Sequence, residues 1–131
     1  NMHTEDSALA VMRTCGGKVA SLHSSALQWK HKFDMDFMLT DGYIALNGLL
    51  TGTRSYGEER ITYYRKDVEM KDGKLGNPLE NTLCFDEDSS WDCEIHEFYD
   101  AVRKDKPIVN GTIEDALGVM RLVDNIYRMG K

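Results

Sequence analysis

Between Gln28 and Lys32 the run QWKHK places an amide, an indole, two ammonium groups and an imidazole on five consecutive positions. Side chains of these types suit a small polar ligand. An indole stacks on the face of a sugar ring, while amide and imidazole exchange hydrogen bonds with hydroxyls and an ammonium binds a hydroxyl or a phosphate. Gln28, Trp29, Lys30 and His31 are therefore the candidate ligand contacts. In an extended segment successive side chains point to opposite sides, so Trp29 and His31 are expected on one side and Lys30 and Lys32 on the other. Residue types leave a second arrangement open, in which Trp29 and Phe33 plug a sheet and Lys30, His31 and Lys32 face water. His23 is a further candidate, because both faces of its strand carry small or polar residues; the competing reading is a histidine hydrogen-bonded within its own sheet.

Other chemistries lack their signatures. A phosphate loop needs G-x-x-x-x-G-K-[ST] and a dinucleotide fingerprint needs G-x-G-x-x-G between a strand and a helix, and neither spacing occurs. Cys15, Cys84 and Cys93 form an odd set without a C-x-x-C pair, so they read as reduced thiols rather than as a disulfide framework or a zinc site. Asn110-Gly111-Thr112 spells a glycosylation sequon but reads better as a turn into a helix cap. The net charge is −6 and the basic residues are scattered apart from Lys30 and Lys32, which argues against a nucleic-acid surface. No apolar run approaches the roughly 20 residues of a membrane span, and no leader pattern opens the chain, so a cytoplasmic protein with no membrane partner is expected. Asn1 before Met2 suggests an excised piece carrying a remnant of a tag.

The elements that position the candidate residues follow from periodicity. The 131 residues, 41% hydrophobic and 29% charged, suit one domain. Ser7–Thr14 and Val19–Leu27 read as a hairpin closed by Cys15-Gly16-Gly17-Lys18. Met35, Phe37 and Leu39 alternate with Asp34, Asp36 and Met38, the period of a half-buried strand, and Asp41-Gly42 turns it back through Tyr43–Asn47. Arg60–Arg65 and Leu79–Asp86 continue one growing antiparallel sheet, with a turn over Lys71–Pro78. At Ser89 the period becomes helical. Trp91, Ile95, Phe98, Tyr99 and Val102 mark a first helix, with Ser89 and Asp92 as a capping pair and Pro107 barring its continuation. A second helix starts at Thr112, buries Ala116, Leu117, Met120, Val123, Ile126 and Tyr127, and closes at Gly130. Strands first and helices last predict an α+β fold, an open-faced antiparallel sheet with helices on one face. The other face is left for a further subunit or domain.

This order of segments, with HSSALQWKHKF (His23–Phe33), TRSYGEE (Thr53–Glu59), EIHEFYDAVRKDKP (Glu94–Pro107) and NGTIEDALGVMRLVDNIYRM (Asn110–Met129), resembles the C-terminal domain of the glucose-fructose oxidoreductase and inositol dehydrogenase (Gfo/Idh/MocA) family. The resemblance covers nearly the whole chain and looks most like the nucleotide-sugar branch. It implies a substrate-binding and oligomerisation domain of an NAD(P)-dependent oxidoreductase, with an N-terminal dinucleotide-binding domain lying upstream and absent here. It also implies a sugar-like substrate, NAD or NADP held by the parent rather than by this chain, and a homo-oligomer built through the open sheet face.

The family's catalytic residues are a lysine of an E-K-P motif and the acid and histidine of a D-x-x-x-H helix, both preceding the sheet. Asp105-Lys106-Pro107 and Asp92-Cys93-Glu94-Ile95-His96 imitate these motifs but follow the sheet. No catalytic residue is therefore expected in this chain. What the resemblance carries over is a pocket wall at Gln28, Trp29, Lys30 and His31. The alternative is a free-standing α+β binding or dimerisation module, and the sequence upstream of Thr4 discriminates the two.

Overall fold

The computed structural model describes residues 5–66 and 79–130. The fold is α+β, with two antiparallel sheets and two helices. The predicted turn over Lys71–Pro78 lies outside the described residues. The chain divides into two compact units, Gln28–Asp88, and Asn1–Leu27 with Ser89–Lys131.

In the discontinuous unit β1 (Ser7–Arg13) and β2 (Val19–Ser25) form the expected hairpin, with Leu9 opposite His23. Its turn is closed by the amide of Thr14 on the carbonyl of Lys18 at 2.9 Å, and Thr14 Oγ1 accepts from the Lys18 amide at 3.1 Å. β2 stops at Ser25 rather than Leu27. The Ala26 amide still reaches across the hairpin to the Asp6 carbonyl at 2.7 Å, one step beyond the Ser7–Ser25 pair, whereas the Leu27 amide turns back to Ser25 Oγ at 3.2 Å.

The sheet was expected to continue into the next strands, and it does not. The strands fall into a two-stranded sheet, β1–β2, and a separate four-stranded one. The four-stranded sheet is a meander of β3 (Asp34–Leu39), β4 (Gly42–Asn47), β5 (Glu59–Arg65) and β6 (Asn81–Phe85), in chain order. Directly opposed residues of antiparallel strands share a face, so its register sorts the side chains. Met35, Phe37, Ile44, Leu46, Ile61 and Leu83 fall on one face. Rows of polar residues cross the other: Asp34, Asn47, Arg60 and Cys84, and next to them Asp36, Ala45, Thr62 and Thr82. The hydroxyls of Thr62 and Thr82 lie 3.1 Å apart in that second row. The apolar face is only half-covered, with Phe37 44% and Leu83 52% exposed.

The helices are α1 (Ser90–Lys104) and α2 (Ile113–Met129). The expected Ser89–Asp92 capping pair does not form. Ser89 stands at φ −101°, ψ 10°, outside the extended conformation from which a cap side chain reaches the first turn, and its hydroxyl caps nothing. α1 ends as predicted, with Asp105 left-handed and Asp100 paired to Lys104 at 2.7 Å and to Lys106 at 3.1 Å. α2 begins on a full capping box: Thr112 Oγ1 accepts from the Asp115 amide at 3.2 Å, while Asp115 Oδ2 accepts from the Thr112 amide at 3.1 Å. Gly130 closes it in a right-handed conformation, its amide on the Ile126 carbonyl. Neither helix has a buried residue, so the apolar stripe predicted to be buried is exposed, Met120 at 63% for example.

Candidate functional site

The site is built on the polar face of the meander, at the end where β3 begins and β4 ends. Residues 28–33 enter β3 outside any ladder, and the Gly48 amide holds them by donating to the Phe33 carbonyl at 2.9 Å. Gly48 sits at φ +72°, and a Cβ on it would meet the Glu58 carbonyl oxygen at 2.0 Å. Glycine is what lets three backbone segments, at Phe33, Gly48 and Glu58, come this close. The result is an open groove of about 450 Å³, lined by Gln28, Lys30, His31 and Lys32 from the entry segment, Asp34, Asn47 and Arg60 from the polar row, and Tyr56, Gly57 and Glu58 from the loop before β5.

Within the groove one cation is already engaged. Lys32 Nζ lies 2.7 Å from Asp34 Oδ2, and Asn47 Nδ2 donates to Asp34 Oδ1 at 2.7 Å, so Asp34 is held from both oxygens. The Lys32 hydrogen bond, then that of Asn47, holds the Asp34 carboxyl below the usual carboxylate range, and the same contact to Asp34 raises the Lys32 ammonium. Lys30 and Arg60 have no carboxylate within ion-pairing distance among the described residues. The His31 ring stacks obliquely against Tyr56, centroids 5.2 Å apart, with the Trp29 indole 6.3 Å from His31 on its other neighbour contact.

The predicted contacts are thus partly gathered. Gln28, Lys30 and His31 line the groove, whereas Trp29 stands beside it, 91% exposed. The alternation expected here fails, because Lys30, His31 and Lys32 all face the same groove. A segment outside a ladder has no pleat to impose a period of two. The exposure of Trp29 also rules out the reading in which it plugs the sheet; Phe33 is the half-buried member of that pair. His23 lies in the other unit, exposed on the hairpin opposite Leu9.

Sequence reasoning did not single out Asp34, Asn47, Arg60, Tyr56 or Glu58 as site residues. The strand register alone aligns Asp34, Asn47 and Arg60, and nothing local to those positions marks them. The D-x-x-x-H look-alike in α1 makes a helix-internal contact: His96 Nδ1 donates to the Asp92 backbone carbonyl at 2.7 Å rather than to its carboxylate. Outside the groove, Tyr43 donates to Glu80, and that acceptor raises the Tyr43 phenol. Asp100, by contrast, is lowered by Lys104 and then Lys106.

Comparison of the chain with family models, with curated proteins and with solved structures finds no match.

Proposed function

We propose that this chain is the substrate-binding and oligomerisation domain of an NAD(P)-dependent oxidoreductase acting on a sugar or nucleotide sugar. One observation carries the reading. Two of the segments behind the family resemblance, HSSALQWKHKF and TRSYGEE, are separated by a strand hairpin in sequence, yet Lys30, His31, Tyr56 and Glu58 line one groove. Gln28, Glu58 and Asn47 offer acceptors and donors for hydroxyls, and the exposed Trp29 offers a stacking face. These residues would bind and orient the sugar while a bound nicotinamide supplies the hydride chemistry.

The cofactor itself does not fit this chain. Among the described residues the strand-to-helix junction is β6 to α1, where a dinucleotide pyrophosphate would be cradled by glycine amides. Its linking residues are Asp86, Glu87, Asp88 and Ser89, three carboxylates and no glycine, which repel a phosphate. In this proposal the cofactor is held by a dinucleotide-binding domain of the parent protein, which also supplies the catalytic lysine, aspartate and histidine that the resemblance implies. Calorimetric titration of the chain is expected to show no NADH or NADPH binding, and nuclear magnetic resonance titration with a nucleotide sugar to shift residues 28–33 and 56–60. Saturable micromolar NADH binding would remove the two-domain reading.

Oligomerisation belongs to the same proposal, through the apolar sheet face of Phe37, Ile44, Ile61 and Leu83. An exposed apolar surface of this kind is stabilised by burial against a second copy at about 25 cal/mol per Å². Sedimentation at high micromolar concentration is expected to give a species larger than a monomer, and Phe37→Lys to return it to monomer. A chain that sediments as a monomer throughout that range counts against the interface.

A further inference from the structure

The groove carries three cations and two carboxylates, in a chain whose net charge is −6. Its local balance thus opposes that of the whole protein. The carboxylates are also unequal. Lys32 and Asn47 each hold one oxygen of Asp34, and among the described residues Lys30 and Arg60 have no carboxylate within ion-pairing distance; Arg60 acts on Asp34 only as a charge at longer range, and Glu58 is the other carboxylate of the groove.

Arg60 is fixed in β5 between Asn47 and Cys84, so its backbone is held by ladders on both sides. Lys30 reaches the groove from the entry segment, outside any ladder. A planar guanidinium on a fixed strand matches the two oxygens of an oxyanion, and an ammonium on a neighbouring segment adds a point charge with three donors. The engaged Lys32 contributes to neither task, because Asp34 already holds it. Glu58 contributes the opposite polarity, an acceptor suited to a hydroxyl.

We propose that Lys30 and Arg60 form an oxyanion subsite of the groove, which takes a phosphate or carboxylate group carried by the polyhydroxylated ligand, with Glu58 accepting from a hydroxyl. This deepens the sugar-binding reading and rests on it only for the identity of the group that carries the anion. Phosphate and carboxylate present the same paired oxygens, so the two sources are separated by the test.

The full chain is titrated, at low and at physiological salt, with a hexose 6-phosphate, a hexuronate, the parent neutral hexose and inorganic phosphate, following backbone and Arg60 Nε resonances. At least one of the two anionic sugars is expected to bind tenfold or more tightly than the neutral hexose, with shifts at Lys30 and Arg60 and weakening as salt rises. The stronger of the two identifies phosphate or carboxylate as the preferred group. Arg60→Gln and Lys30→Gln are each expected to remove most of that preference. Lys30→Gln lies outside the sheet and keeps the test valid if the strand variant folds poorly. Equal binding of charged and neutral hexose overturns the oxyanion subsite and leaves the sugar reading standing. Inorganic phosphate that shifts Lys30 and Arg60 while no sugar binds supports the subsite and removes the sugar reading. Absence of binding by all four ligands overturns the subsite.

Discussion

Gly48→Ala is expected to destabilise the four-stranded unit by roughly 3 kcal/mol or more and to abolish the groove, because two independent costs fall on one residue. The first is conformational. At φ +72° an alanine sits in the left-handed region, which costs an L-residue about 1 to 2 kcal/mol. The second is steric and larger. The new Cβ would stand 2.0 Å from the Glu58 carbonyl oxygen and 2.7 Å from its carbon, backbone atoms that cannot rotate away. Relief requires the loop before β5 to move, which takes Tyr56, Gly57 and Glu58 with it and breaks the contact of the Gly48 amide to Phe33. Gly57 provides the control. It stands at φ +83° with nothing within 4 Å of its would-be Cβ, so Gly57→Ala carries the conformational cost alone, about 1 to 2 kcal/mol. Urea denaturation of both variants followed by circular dichroism reads the difference directly. Equal midpoints for the two would show that the close approach at Gly48 contributes nothing.

Trp29→Ala is expected to leave the melting temperature within about a degree of the parent and to weaken sugar binding by about 1 to 3 kcal/mol, a factor of roughly five to a hundred and fifty. The stability half follows from exposure. Truncating a buried ring costs about 3 to 5 kcal/mol, but the Trp29 side chain is 91% exposed and has no packing of that kind to lose. The binding half follows from placement. The indole stands beside His31, which leans on Tyr56, so three rings border the groove and Trp29 offers the largest free face. Thermal melts and calorimetry on a single variant separate the outcomes, and an unchanged affinity for the nucleotide sugar would take Trp29 out of the site. A fall in stability instead would mean that the ring is buried by a partner in the assembled protein.

Local pattern determined most of the elements. Period two marked Asp34–Leu39 and the paired glycines Gly16-Gly17 marked the first hairpin; the Asp41-Gly42 turn, Thr112 as N-cap, and Pro107 after Lys106 set boundaries that the structure reproduces. These are decided by residues within a few positions of one another, whose turn and cap preferences act before any distant contact forms. Ser89 shows the limit even of local signals, since a cap residue works only if its backbone adopts the extended conformation, and here it does not. The four candidate residues Gln28, Trp29, Lys30 and His31 were likewise legible as chemistry, though not as geometry.

What only the tertiary structure decided is what depends on register and on backbone approach. A single continuous sheet was the natural expectation from six strands in succession, but β2 ends at Ser25, residues 26–33 form no strand, and the strands fall into two sheets. Which side Lys30 and Lys32 face depended on whether residues 28–33 pair with a neighbour; without a ladder they do not alternate, and both join His31 in the groove. Arg60 enters the site because Asn47 stands between it and Asp34 in the sheet, positions 13 residues apart on each side in sequence. Such a row is fixed by backbone hydrogen bonds between strands, and the identity of a residue carries no record of which distant residue it will face.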